Sequence, residues 1–138
     1  MVVRDVMTDY FASAHISSTV SDAVDKMLTE GLDNLLIVDD RNQLVGRIEE
    51  SLMMVAALDN QWLAQSVNLH MERNFVTIRP DETVGQVVEK FLLHQASDFP
   101  VLEEGKLIGV LTRRQLLRAV LSQNNLKAPP RKVTSSVA

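Results

Sequence analysis

The chain has 138 residues, of which 46% are hydrophobic, 23% charged and 4% aromatic, a balance typical of one small globular domain or of two subdomains that share a core. It has no cysteine, which excludes disulfides, thiolate catalysis and zinc–thiolate sites. It also has neither an apolar run of the roughly 20 residues that span a membrane nor a typical signal peptide. The sequence therefore predicts a cytoplasmic protein with no membrane partner.

The charge is unevenly distributed along the chain. Residues 1–66 carry four basic and eleven acidic side chains, a net charge of −7, and residues 67–138 carry ten basic and seven acidic, a net charge of +3. The second half is therefore the favoured place for an anionic ligand. Its positive charge is too small to indicate a nucleic-acid surface, so no nucleic-acid partner is expected.

The predicted elements of the first half begin with a helix over 20–31, because Thr19 and Asp22 have the spacing of a capping box. The stretch "LLIVDDRNQLVGRI" contains two apolar runs around an acidic turn and predicts paired strands. A second helix follows over 50–58. The segment that joins the two halves is predicted to be helical in its first part.

The second half repeats this order. Thr83 and Gln86 predict the start of a helix over 84–95, "FPVLEEGKLIGVL" predicts two strands, and a last helix covers 113–122. The tail, residues 124–138, has two prolines and no periodic apolar face, which predicts disorder.

The two halves can be aligned as tandem copies. Met7 aligns with Met71, and Val20 with Val84, at a separation of 64 residues. We define repeat 1 as residues 1–62 and repeat 2 as residues 63–123. Because one copy of this size buries too little surface to be stable alone, the prediction is an α+β fold. Two β-α-β-β-α repeats would pack sheet to sheet about a pseudo-two-fold axis, with a cleft between the copies on each side.

This duplicated order of elements, with "VMT" near the start and "FPVLEEGKLIGVLT" in the second copy, resembles a pair of CBS (cystathionine-β-synthase) domains, also called a Bateman module. The resemblance covers about residues 3–122. It implies a non-catalytic regulatory module that binds an adenosine ligand such as AMP, ADP, ATP or S-adenosylmethionine in an inter-repeat cleft. It also implies a homodimer, while the regulated partner stays unidentified.

The resemblance also implies where the ligand lies. The family's strand-to-helix junction often reads Gly-apolar-apolar-Thr/Ser-x-x-Asp, and the hydroxyl and the carboxylate hold the ribose. Repeat 2 has Gly109 and Thr112 but has Gln115 at the Asp position. The implied ligand-binding residues are Thr77, Ile78, Ala96, Ser97, Phe99, Pro100, Thr112, Arg113, Arg114 and Gln115.

The junction of repeat 1 departs further from the family pattern. It has Gly46, Glu49 and Leu52, so both ribose positions are lost and Glu49 would repel a phosphate. Repeat 1 also has Leu36 where repeat 2 has Pro100. The ligand is therefore expected in the cleft formed mainly by repeat 2.

Arg113 and Arg114 stand in the first helical turn after Thr112, where acidic residues are usual. Both arginines suit a bound phosphate, because the unpaired N–H groups of a helix start already favour an anion. An alternative is that they pair with Glu49 and Glu50 or with acids of a partner chain.

Thr112 and Gln115 also have an alternative role, because their spacing matches a capping box that serves only the helix. The loss of the family Asp keeps a second function open, a ligand-free interaction module that acts through its dimer surface. The three histidines lack metal-ligand spacing, so no metal is expected. The second helix of each repeat carries more apolar residues than one buried face requires, which favours a dimer interface. These residues are Leu52, Met53, Val55, Ala56, Leu116, Leu117 and Val120.

Overall fold

The computed structural model describes residues 1–123, and the tail for which the sequence predicts disorder lies outside this range. The α+β prediction is confirmed. Repeat 1 contains β1 (Ser13–His15), α1 (Val20–Glu30), β2 (Asn34–Val38), β3 (Leu44–Glu49) and α2 (Glu50–Leu58). Repeat 2 contains α3 (Val84–Leu93), β4 (Asp98–Glu103), β5 (Lys106–Thr112) and α4 (Arg113–Gln123). The counterpart of β1 in repeat 2 is a single parallel bridge between Ile78 and Val101.

The first helix of each repeat begins at the predicted capping box. The Asp22 amide donates to the Thr19 hydroxyl at 3.1 Å, and the Thr19 amide donates back to the Asp22 carboxylate at 3.1 Å. The Thr83–Gln86 pair makes the same exchange at 3.2 and 2.9 Å. The helix α1 ends at Gly31, whose φ of +66° favours glycine.

The segment between the repeats is helical in its first part, as predicted. Asp59 caps a 3₁₀ helix over Asn60–Ala64. Trp62 packs against the core of repeat 1 and stacks on His70 with ring centroids 4.0 Å apart. The single tryptophan is thereby part of the packing that fixes the start of repeat 2 against repeat 1.

Each repeat sends its leading segment across to the other. Thr8 and Val110 exchange two backbone hydrogen bonds of 2.9 Å, and Glu72 and Arg47 exchange two of 2.8 Å. A Cβ atom added at Gly109 would lie only 2.7 Å from the carbonyl oxygen of Thr8. The glycine is therefore required by this close crossing. The core beneath the helices of each repeat therefore contains residues of both repeats. Val67 and Met71 pack into the core of repeat 1, and Val3 packs into the core of repeat 2.

The two sheets meet in a third core between the repeats. Leu36 from β2 is buried there with Leu107 and Val110 from β5. The hairpin turns also interlock, because the Leu44 amide donates to the Gly105 carbonyl and the Leu107 amide to the Asn42 carbonyl, each at 3.1 Å. The predicted sheet-to-sheet packing of two β-α-β-β-α repeats is confirmed, and clefts lie beside this contact.

Candidate functional site in the inter-repeat clefts

Thr112 and Gln115, at the junction of β5 and α4, form a capping box. The Gln115 amide donates to the Thr112 hydroxyl at 3.1 Å, and the Thr112 amide donates to the Gln115 side-chain oxygen at 2.9 Å. The structure therefore shows the helix-capping role that the sequence left as an alternative. A hydroxyl that accepts one hydrogen bond still has a proton to donate, so capping leaves Thr112 able to contact a ligand.

The side chain of Arg113 is used within repeat 2. Its Nε donates to the Ala96 carbonyl at 2.5 Å, and its Nη2 donates to the His94 and Phe91 carbonyls at 3.3 and 3.4 Å. The guanidinium carbon also lies 5.6 Å from the centre of the Phe91 ring. A cation at the C-terminal end of a helix satisfies unpaired carbonyls and complements the dipole. Arg113 thus caps α3 from across the repeat.

Arg114 is exposed at the start of α4, and among residues 1–123 its side chain has no hydrogen bond or ion pair. The alternative pairing with Glu49 is not observed among residues 1–123, where that carboxylate contacts the Arg47 Nη2 at 2.8 Å. Arg114 is therefore the cation of this junction that is available to an anion. It stands where unpaired helical N–H groups also attract negative charge.

Four of the sequence-predicted site residues make their contacts within repeat 2 itself. Ile78 and Phe99 are both 1% exposed, and Phe99 stacks on Phe91 with ring centroids 4.2 Å apart. The Ile78 amide donates to the carbonyl of buried Pro100 at 3.0 Å, and the Thr77 carbonyl accepts from the Lys90 ammonium at 3.5 Å. The side chains of Ile78 and Phe99 fill the core and line none of the cavities described below.

Ala96 and Ser97 reach a cavity of about 240 Å³ between the repeats. Repeat 2 contributes Gln95, Ala96 and Ser97 to its lining, and repeat 1 contributes Asp33, Asn34, Arg47, Glu49, Glu50 and Ser51. Three carboxylates face one guanidinium on the repeat 1 side. This balance disfavours a phosphate at that junction, in agreement with the charge expected from the sequence.

Asp98 lies beside this cavity, and its pKa is raised above its usual value. Burial is the main cause, followed by the neighbouring Asp33 carboxylate, while Arg47 and the nearby Asn34 side chain partly offset both. A carboxyl group whose folded-state pKa is raised binds its proton more tightly in the folded state. Its contribution to stability is therefore lost as pH rises above its ordinary pKa of 3.8.

Replacing Asp98 with Asn is expected to raise the thermal unfolding temperature at pH 7, since a half-buried charge is removed, and to give no gain below pH 3.8. Differential scanning calorimetry at pH 7 and at about pH 3.5 measures both values. Asp9→Asn, at an exposed carboxylate, is the control and should change neither. An unchanged or lower unfolding temperature for Asp98→Asn at pH 7 would contradict this assignment.

The sequence did not predict most of the residues with which repeat 1 lines this cavity, including Asp33, Asn34 and Arg47. One signal was present, because Arg47 interrupts an otherwise apolar strand where repeat 2 has Val110. The Arg47 Nε is buried and has no hydrogen-bond partner in the part of the chain that the structure describes. Within residues 1–123 no three His, Asp or Glu side chains are grouped to hold a metal ion. In the same range no helix is long and apolar enough to cross a membrane.

The fold and its clefts define a tandem-repeat module in which two α+β units share a sheet-to-sheet core. The family model for the CBS domain matches residues 3–56 and 64–122, and the chain belongs to the CBS domain family.

Two curated relatives show how such a pair occurs in longer proteins. The A-adding tRNA nucleotidyltransferase of Aquifex aeolicus is 29% identical over 86% of this chain and 14% of the relative. The L-aspartate semialdehyde sulfurtransferase of Methanosarcina acetivorans is 28% identical over 80% of this chain and 22% of the relative. The chain thus spans less than a quarter of the length of either relative.

Two solved structures are similar over most of their length and contain adenosine compounds. CBSX2 in complex with AMP is 25% identical, with a TM-score of 0.76 over 89% of this chain and 98% of the other. The CBS domain pair of MJ0100 in complex with 5′-methylthioadenosine and S-adenosyl-L-methionine is 25% identical. Its TM-score is 0.70 over 87% of this chain and 99% of the other.

Proposed function

We propose that this chain is a non-catalytic regulatory module, acting in the cytoplasm, that senses an adenosine-type ligand in the cleft formed mainly by repeat 2. Candidate ligands are AMP, ADP, ATP and S-adenosylmethionine. The observation that carries the proposal is Arg114 beside Thr112, exposed and without a side-chain partner within residues 1–123, while the opposite junction is lined by carboxylates. The adenosine compounds held by CBSX2 and MJ0100 support the ligand class.

The residues of the repeat 2 junction have distinct roles in this proposal. Arg114 contacts the phosphate, because an arginine offers charge and several donors to phosphate oxygens. The Thr112 hydroxyl donates to the ribose, and Gln115 lies next to it. The segment Ala96–Val101 faces the adenine through its backbone, and Arg113 is a positioning residue that holds this segment through the Ala96 carbonyl.

A thermal-shift panel of AMP, ADP, ATP, S-adenosylmethionine and NAD tests the proposal. A ligand present at about 100 times its dissociation constant adds about 2.7 kcal/mol to the free energy of unfolding. An upward shift of several degrees with at least one adenosine compound is expected. No shift with any of them at millimolar concentration would contradict ligand sensing.

Replacing Gln115 with Asp is expected to strengthen the binding of both AMP and adenosine severalfold, because a carboxylate accepts more strongly from ribose hydroxyls than an amide does. The capping box should survive, since Asp22 occupies the same position in the box of Thr19. Isothermal titration calorimetry measures both affinities.

A matched control is Gln86→Asp, which makes the same change in the capping box of Thr83, away from the junction. It should leave both affinities unchanged. Equal effects of the two variants would argue against a ribose contact at position 115. The equivalent change in repeat 1, Leu52→Asp, is unsuitable because Leu52 is buried in the core.

A second candidate function is a ligand-free interaction module. The mutual capping of Thr112 and Gln115 favours it, because both junction side chains already have a structural partner. This candidate predicts a flat thermal-shift panel together with a stable dimer.

Under either function we propose a homodimer. Of the apolar residues in the second helices, Leu52, Ala56 and Leu116 are buried, whereas Val55 and Leu117 are exposed. Other large apolar side chains of the helices are also exposed. The most exposed are Leu28, Met54, Leu58, Leu92 and Leu93. Such clustered apolar surface marks an interface, and a closed two-fold dimer is the commonest arrangement.

Light scattering is expected to give about twice the chain mass of 15.4 kDa from micromolar to near-millimolar protein. The dimer should form because association removes the exposed leucines from water. Replacing Leu58, which is 92% exposed, with Ser should weaken it, while Leu69→Ser, outside the four α-helices, is the control. A mass of 15.4 kDa at every concentration would contradict the prediction.

A further inference from the structure

Both repeats present an apolar groove between their two helices. The groove of repeat 1, which we call groove 1, has a volume of about 690 Å³ and lies between α1 and α2. The groove of repeat 2, groove 2, has about 240 Å³ and lies between α3 and α4. Groove 1 is lined in part by Met27, Met53 and Met54, flexible side chains that adapt to irregular partners.

The helices around the two grooves carry opposite charge. The helices α1 and α2 together contain four acidic residues and one basic residue, a net charge of −3. The helices α3 and α4 together contain one acidic and four basic residues, a net charge of +3. The asymmetry extends to the linings, because Asp33 and Glu50 line groove 1 and Arg113 lines groove 2.

We propose that two copies of this chain dock head to tail, with groove 1 of one protomer against groove 2 of its partner. The inference rests on the proposed homodimer and adds its orientation. A two-fold axis makes the contact twice, so each negative helix pair meets a positive one. A like-to-like dimer would instead oppose −3 with −3 and +3 with +3, and opposing like charges disfavours association.

The shapes of the two grooves agree with this orientation. The larger groove 1 has room for side chains that project from the repeat 2 helices. Two leucines that line groove 2, Leu92 and Leu117, are exposed there. In a head-to-tail dimer these leucines of one protomer leave water by entering the methionine-lined groove of the other.

Charge reversal distinguishes the two orientations, because it should raise the dimer dissociation constant of a head-to-tail dimer and lower that of a like-to-like dimer. Arg118 is exposed in the middle of α4, away from the ligand junction. In a head-to-tail dimer, Arg118→Glu places a new negative charge against the acidic helices twice, so the dimer dissociation constant should rise at least tenfold. Asp25→Lys on exposed α1 should raise it similarly, and the double variant should restore it to within about threefold.

Sedimentation equilibrium measures these constants, and circular dichroism verifies that each variant is folded. A like-to-like dimer predicts the reverse sign, because each single reversal relieves repulsion and tightens the dimer. Tighter dimers for both single variants would overturn the head-to-tail arrangement while leaving the homodimer intact. A monomer at all concentrations would overturn both.

Cross-linking tests the orientation directly, because the chain has no cysteine of its own. Leu28→Cys places a thiol in the lining of groove 1 and Leu117→Cys one in that of groove 2. A short bismaleimide should link the two variants when they are mixed and should link neither variant to itself. Self-linking of each variant, or a dimer that links in no combination, would overturn the proposed docking.

Discussion

Replacing Phe99 with Ala is expected to lower the free energy of unfolding by about 3–5 kcal/mol, the range for a large aromatic side chain removed from a core. Phe99 is 1% exposed and stacks on Phe91, so its loss leaves a cavity between β4 and α3. Urea denaturation followed by circular dichroism measures the change. A loss below about 1 kcal/mol would contradict the packing described for repeat 2.

The conservative variant Phe99→Leu separates the structural role of Phe99 from a ligand role. It retains most of the buried volume and should keep the fold at a smaller cost. Because the Phe99 side chain lines none of the cavities described among residues 1–123, AMP affinity should stay within about threefold of the native value. A stable Phe99→Leu protein that no longer bound AMP would show that the ring contacts the ligand.

The two neighbouring arginines are expected to have different roles, with Arg113 contributing to stability and Arg114 to phosphate binding. Arg113→Ala removes three hydrogen bonds to carbonyls around the end of α3 and should cost about 1.5–3 kcal/mol of unfolding free energy. Arg114→Ala removes an exposed side chain and should change stability by less than about 0.5 kcal/mol. Thermal and urea denaturation of both single variants measure the difference.

Ligand binding should show the opposite pattern. Arg114→Ala should weaken AMP by at least tenfold and adenosine hardly at all, because a phosphate contact is charge-assisted and worth about 1.5–3 kcal/mol. Arg113→Ala should weaken both compounds to the same extent, since it displaces the segment that it holds. Titration calorimetry with AMP and adenosine compares them. Equal losses for the two compounds in Arg114→Ala would show that Arg114 does not contact phosphate.

The fold was largely predictable because its determinants are local or periodic. The capping boxes at Thr19 and Thr83 specify where two helices start. The duplication at a 64-residue spacing indicates that one repeat packs on the other. The crossing of the leading segments was not predictable, because Thr8 and Val110 lie in different repeats and pair only through the tertiary structure. The requirement for glycine at position 109 is explained only by that crossing, because a Cβ atom there would lie too close to the Thr8 carbonyl oxygen.

The candidate site was less predictable because its decisive contacts join distant parts of the chain. The alternatives for Thr112 were visible in the sequence, since a capping box depends on residues three apart. The role of Arg113 was not, because the Phe91 carbonyl it reaches is 22 positions away. The raised pKa of Asp98 likewise depends on Asp33 and on burial between the repeats, and neither follows from a local pattern.

Chemical-shift mapping of the ¹⁵N-labelled chain during a titration with AMP tests the central claim most directly, because it reports binding and its location together. The account predicts that the largest amide shifts occur at residues 112–115, with small shifts at residues 49–52. Largest shifts at residues 49–52 would place the ligand in the acidic cleft of repeat 1. The absence of shifts at millimolar AMP would contradict nucleotide sensing by this junction.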